Sequence, residues 1–302
     1  MKQSTKYLLI AAVALIVLGG VIGGLCFAAG VGEARSLADA RRVTREFPVS
    51  ERFTAIEVTS EDVDVRLARA EDGRCRVVYA GNEASLPEVS VSGGTLRVVS
   101  RESRRNWTDG LFSVDRASGI TLYLPEAGCA SLTLSLKSAD AEVPEGLAFG
   151  DASVTVTTGD ISFSAAVTGT LTLGTTSGDL TAAGAGCGEG RFSVTTGDIT
   201  LSGLHAAGPL SLSAGTGDIT LSGVTAETLT AQTTTGDVAL VSCDAGELSL
   251  KTTTGDITGT LRSGKRFDAQ AVTGDVSVPA PDASGGICTV RTTTGDVSLR
   301  IG

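Results

Sequence analysis

A chain of 302 residues with a net charge of −10 and only 4% aromatic residues does not have the makings of a large aromatic core, and 41% hydrophobic content excludes a disordered one. Residues 1–46 carry six Lys/Arg against three acids, which leaves −13 on the remainder. A body so acidic excludes nucleic acid as a partner, because phosphate binding needs clustered Lys and Arg.

Residues 7–29 run without a charge (YLLIAAVALIVLGGVIGGLCFAA), long enough to span a bilayer as a helix. Lys2 and Lys6 precede the stretch and predict a short cytoplasmic tail, residues 1–6, with the rest of the chain extracytoplasmic. Two alternatives stay open. Ala28-Ala29-Gly30 offers a small-residue site for a cleaved signal, and Cys26 a lipoprotein anchor, although Leu25 before it is larger than such sites use. Gly19-Gly20 and Gly23-Gly24 form a small-xxx-small pattern, which suits helix pairing but is also ordinary for membrane helices. Residues 30–46 form a charged juxtamembrane linker, in which 33–46 (EARSLADARRVTRE) is expected to continue the helix out of the membrane.

From Phe47 the pattern changes to period two, as in Phe53-Thr54-Ala55-Ile56-Glu57-Val58 and Val63-Asp64-Val65-Arg66-Leu67. Gly93-Gly94 between two alternating runs is a hairpin signal. Residues 47–137 are expected to be irregular strands that cap a regular region from 138 to 302. A polar loop at 101–110 holds Arg104, Arg105 and Trp107, the chain's only Trp; these residue types make it a candidate contact tip, and a solvated hairpin loop is the plainer reading.

The regular region is organised by one phrase. Thr or Ser, then Gly-Asp, then Ile, Leu or Val recurs with its glycines at Gly159, Gly178, Gly197, Gly217, Gly236, Gly255, Gly274 and Gly295. The steps are 19, 19, 20, 19, 19, 19 and 21 residues. A period near 20 predicts a β-solenoid with one coil per repeat. Apolar residues fall at odd offsets before each Gly (Leu171, Leu173) and at even offsets after it (Ile199, Leu201), so the chain turns at Gly-Asp. Gly supplies positive φ there, Asp is expected to close an Asx-type turn, and the flanking Thr to bond to Thr on the next coil. Ser138-Ala139-Asp140 and Ser60-Glu61-Asp62-Val63 read as degenerate copies. The predicted fold is all-β: a single-chain β-solenoid of about 19–20 residues per coil behind one transmembrane helix.

These features together resemble the bacterial putative-adhesin β-strand-repeat family over about residues 45–302: the apolar anchor, strands ending in Ile120-Thr121-Leu122-Tyr123-Leu124-Pro125, and repeated Thr-Gly-Asp-Ile/Val coils. The resemblance implies a membrane-anchored, adhesin-like solenoid of the cell envelope, some members being similar to a component of a Gram-positive envelope-stress operon. It brings no catalytic residues to carry over.

The candidate site is the Asp column: Asp160, Asp179, Asp198, Asp218, Asp237, Asp256, Asp275 and Asp296. Stacked about 4.8 Å apart, neighbouring charges repel by roughly 0.9 kcal/mol in water. Backbone donors offset this in the structural reading, and bridging Ca²⁺ in the sharper one. Calcium β-rolls use a denser motif, so no cofactor or metal is expected. Cys26, Cys75, Cys129, Cys187, Cys243 and Cys288 contain no CxxC spacing and fall at different coil phases, so they read as small buried hydrophobes. His205 is the only histidine and reads as an exposed loop residue. A polysaccharide-active enzyme is disfavoured, because a column of identical Asp residues has no means of setting two carboxyl pKa values apart. The expected function is a non-catalytic binding or structural module, tethered to the membrane, whose partner is a cell-wall polymer, a glycan or a protein; the alternative is a scaffold or sensor acting through the membrane helix.

Overall fold

A computed structural model describes residues 42–101, 118–125 and 128–302. The expected membrane helix at 7–29 and the contact residues Arg104, Arg105 and Trp107 lie outside these residues. No helix among the described residues is long and apolar enough to cross a membrane.

Each coil contributes one strand before Gly-Asp and one after it. The strands before it stack in parallel into a first sheet: Cys129–Ser138, Ala148–Thr158, Thr170–Ser177, Glu189–Thr196, Pro209–Thr216 and Thr225–Thr235 follow one another. The strands after it form a second sheet, in which Ala141–Val143, Ile161–Phe163, Leu180–Ala183, Ile199–Ser202 and Ile219–Ser222 stack likewise. Inward residues form continuous columns between the sheets. Ile161, Leu180, Ile199, Ile219, Val238 and Ile257 make one, all at most 1% exposed. Side-chain size is traded within a coil: Phe192 fills the space that Gly190 leaves, and a Cβ on Gly190 would sit 2.8 Å from the Phe192 ring and 2.4 Å from Leu210.

The solenoid begins earlier than its repeat phrase. Ala55–Ser60 and Asp64–Arg69 form a coil that lies parallel against Cys129–Ser138 and Ala141–Val143. Thr95–Ser100 and Gly119–Leu124 form another beyond it. The segment expected to be an irregular cap thus supplies two coils in register, and only its outer strands are antiparallel. Glu88–Ser92 pairs with Thr95–Ser100, and Arg76–Asn82 with Gly119–Leu124. Residues 33–41 lie outside the described residues, and the helix expected over 33–46 is corrected at its end, because Arg42–Pro48 is a strand antiparallel to Arg76–Asn82. β-branched Val43 and Thr44 suit it, and the open edge of Arg76–Asn82 supplies ladder bonds that an isolated helix without an apolar stripe could not match.

Stacking at the C-terminal end does not follow chain order. The strands around Leu250 and Ile257 pair with Ile287–Thr294 and Val297–Ile301, and these pair in turn with Arg266–Thr273 and Val276–Ser277. The chain leaves Leu261, skips one position, builds the outermost coil and returns to fill the gap. Lys265 fastens the crossing. It is 4% exposed, and its Nζ donates to Asp244 Oδ1, Ala245 O and Ser263 Oγ, each at 2.7 Å. Burial raises the Asp244 pKa, but the Lys265 and Ser263 hydrogen bonds and the Lys265 charge outweigh it and hold the carboxyl below its ordinary value.

Lys265→Met should therefore destabilise the chain by about 1–3 kcal/mol, less than for a fully buried pair because Asp244 keeps some solvent. A carboxyl whose folded pKa is depressed contributes stability above its unfolded pKa of about 3.9 and loses it as pH falls through the folded value. Melts from about pH 7 down to about pH 3 should show this acid loss in the wild type and a smaller one in Lys265→Met.

Candidate functional site

The Gly-Asp corners stack on one edge of the solenoid. Each corner glycine has φ between 133° and 146°. A Cβ at Gly236 would lie 2.1 Å from the carbonyl oxygen of Gly217, and the other corner glycines are as tight. Both the backbone angle and the approach of the preceding coil thus require glycine.

Three backbone groups hold each corner. The Gly N–H donates forward to the residue before Gly in the next coil, as Gly236 does to Thr254 O at 2.9 Å. The residue after Asp also donates forward, as Val238 does to Asp256 O at 2.9 Å. The Asp N–H points back, and the carboxylate of the preceding coil's Asp accepts it. Asp256 N donates to Asp237 Oδ1 at 2.7 Å and Asp237 N to Asp218 Oδ1 at 2.8 Å. The expected Asx turn within one coil is therefore replaced by a bond between coils. The carboxylate stands where no backbone carbonyl reaches, and a charge-assisted bond of this kind offsets repulsion along the column.

The column runs Asp64, Asp140, Asp160, Asp179, Asp198, Asp218, Asp237, Asp256, Asp296, Asp275. All eight predicted Asp residues are in it, with Asp296 ahead of Asp275. Asp64 takes the place that the Ser60-Glu61-Asp62 phrase suggested for Asp62, since Ser60 Oγ closes its own turn onto Val63. Among the described residues no group of three or more His, Cys, Asp or Glu is arranged to hold a metal ion.

Beside the carboxylates runs a second row. Thr158, Ser177, Thr196, Thr216, Thr235, Thr254, Thr294 and Thr273 are paired coil to coil, and all are exposed. The corner thus presents paired rows of hydroxyls and carboxylates, one of each per coil, about 4.8 Å apart along the axis. Three residues before the corner, Thr175, Thr233, Thr252 and Thr292 turn inward and are at most 5% exposed. Their hydroxyls donate to the glycine carbonyl of the preceding coil at 2.9–3.1 Å. The sequence signal for them is a Thr at an apolar parity position. The expectation placed Thr bonds between coils at the residues flanking Gly-Asp; the Thr bonds seen between coils are instead these, made to carbonyls by residues three positions before the glycine.

A shallow groove of about 290 Å³ lies on the first sheet, lined by Thr228, Thr230, Glu247, Ser249, Thr289 and Ile287, with Leu229 and Leu248 beneath. His205 belongs to a two-residue strand rather than a loop, its Nδ1 2.6 Å from Thr225 Oγ1. Cys75, Cys129, Cys187, Cys243 and Cys288 are free thiols. Burial pushes the Cys187 and Cys288 thiols up to about 11, so neither is an activated nucleophile.

This is a β-solenoid whose one chemically repetitive surface is its corner. The chain belongs to the Toastrack DUF4097 family, whose pattern matches residues 53–216 and 191–302. No curated protein matches it in sequence. Similar solved structures include a putative adhesin from Parabacteroides distasonis (TM-score 0.55, 12% identity, 86% of this chain and 98% of that one). A putative adhesin from Parabacteroides merdae gives 0.52 at 13% identity over 87% and 98%, and a putative lipid binding protein from P. distasonis 0.55 at 12% over 87% and 98%. At these identities the likeness is one of fold.

Gly236→Val should cost on the order of 1–3 kcal/mol or more, from strain and the clash with Gly217 O. Asp237→Asn, which keeps an acceptor and removes one repelling charge, should stay within about 0.5 kcal/mol. Asp237→Ala strips the acceptor and should cost about 1 kcal/mol. Hydrogen exchange checks the geometry: Asp237→Ala should speed exchange of the Asp256 amide, in the next coil, more than that of Val238 beside it.

Proposed function

We propose that this chain is a membrane-tethered, non-catalytic binding module of the bacterial cell envelope, whose corner rows engage a repeating polymer such as a glycan. The observation that carries the reading is the register of the corner: in the repeated coils one exposed hydroxyl stands beside one carboxylate, exposed at every repeat except the half-buried Asp256, in parallel rows. A ligand that repeats along the solenoid axis can meet the same pair of groups many times, and weak contacts made in series add up to avidity. The rigid stacked backbone presents them without ordering cost on binding. The solved structures of the same fold that are described as putative adhesins are consistent with a surface role, and the apolar stretch at 7–29 supplies the tether.

Retention of the full chain on immobilised envelope polysaccharides tests this. Thr196, Thr216 and Thr235 changed together to Val keep the side-chain shape and remove three hydroxyls, and should lower retention at least tenfold. The same change at Thr200, Thr220 and Thr258, outward on the second sheet, should leave it unaltered. Equal loss from both sets, or no retention by the wild type, sinks the reading. Protease treatment of intact, wall-permeable cells tests the tether: residues 47–302 should be digested, and their survival would place the body on the other side of the membrane.

A further inference from the structure

The two ends of the solenoid are finished differently. At the N-terminal end the core is closed: Val77 and Tyr79, on the antiparallel strand Arg76–Asn82, are 0% exposed. At the C-terminal end the outermost coil is open. Its inward residues Phe267, Ala269 and Ala271 are only half-buried and Val276 is 42% exposed, whereas the matching Leu250, Val290 and Val297 of the coils behind are at most 1% exposed. Among the described residues, Arg266–Thr273 and Val276–Ser277 pair on one side only, with Ile287–Thr294 and Val297–Ile301. The Asp ladder ends here as well: Asp275 N donates to Asp296, and among the described residues no further coil donates to Asp275.

We propose that this open end is a dimerisation surface, on which a second copy of the chain docks end to end by antiparallel pairing of Arg266–Thr273 with its own counterpart. Three features select that occupant. First, two strand edges and the apolar end between them must be covered together. A partner that does so needs two sheets at the same separation, which is what another copy of this end provides. Second, the strand is self-complementary about Ala269. A twofold axis there puts Ala269 against Ala269 and Phe267 against Ala271 on the inner side, with Asp268 opposite Gln270 on the outer, so small residues meet at the axis and no like charges oppose. A twofold axis perpendicular to the sheets keeps inward faces inward, so the operation continues the first sheet; on the second, Val276–Ser277 is a two-residue strand followed by Pro279 and Pro281, and there the copies meet through packing rather than ladder bonds. Third, growth stops at two copies. The far end is edged on the second sheet by Arg42–Pro48, which carries exposed Arg45 and Glu46 and ends in Pro, a blunted edge of the kind that resists further pairing. The contact is independent of the polymer-binding corner, which lies along the side of the stack.

The experiment uses the full chain in detergent, with mass measured by light scattering at micromolar concentration. The wild type should be a dimer, and Ala269→Lys combined with Ala271→Lys should be a monomer with nearly the wild-type melting temperature. A monomeric wild type, or a dimer that survives the double substitution because it is held through the apolar N-terminal stretch instead, overturns the proposal. Should the double variant not fold, Ala269→Cys replaces it. Mild oxidation should join that variant into a covalent dimer above the wild-type background, while Thr155→Cys, mid-stack and outward, should stay at background. An uncrosslinked Ala269→Cys overturns the proposal equally.

Discussion

One backbone donor in each coil points the wrong way, and the architecture depends on how it is received. At the corner the Gly and the residue after Asp both donate to the following coil, while the Asp N–H between them faces the preceding one. With the chain turning there, the group that receives that N–H is the preceding carboxylate. Glycine is then obligatory for a second reason besides its φ, because the carbonyl of the coil below occupies the volume a side chain would need. The two residues solve one problem jointly, and the repetition of the problem every 19 to 21 residues explains the repetition of the phrase.

The same bond explains why the acid column is tolerated. Like charges a strand spacing apart repel, but each carboxylate holds an N–H from its neighbour, and the column stays largely in contact with water. The energy that keeps the coils together comes mainly from elsewhere, from apolar columns that no single coil could bury alone. The corner sets the register in which those columns meet. A slip of one residue would turn them outward.

The ends show where repetition stops being sufficient. Near the N-terminus, Tyr79 and Val77 close the core from an antiparallel strand, and the charge of Arg76 lies 4.2 Å over the Tyr123 ring. Near the C-terminus the coil with Val290, Val297 and Leu299 takes the inner slot, and the one with Phe267, Ala269 and Ala271 is left outside. That order lets Thr292 donate to Gly255 O, which Ala271 in the same slot could not do. Lys265 and Asp244 secure the crossing that results.

Period, parity and turn chemistry were legible in the chain itself, because each is a local property written eight times. From them follow the coil length, the inward columns and the shared corner. The opposite direction of the Asp N–H was not legible, because an Asx turn and an inter-coil bond ask for the same residues and differ only in which backbone lies within reach. Nor was the order of the last two coils: Thr273-Gly274-Asp275-Val276 and Thr294-Gly295-Asp296-Val297 read identically, and each could follow Asp256. Asp64 and the strand at Arg42–Pro48 escaped for a related reason, since a place in the stack is set by the neighbouring edge rather than by the residue's own phrase. The chain determined that its coils would stack; contacts that exist only once they have stacked, such as Thr292 to Gly255 O and Lys265 to Asp244, decided in what order.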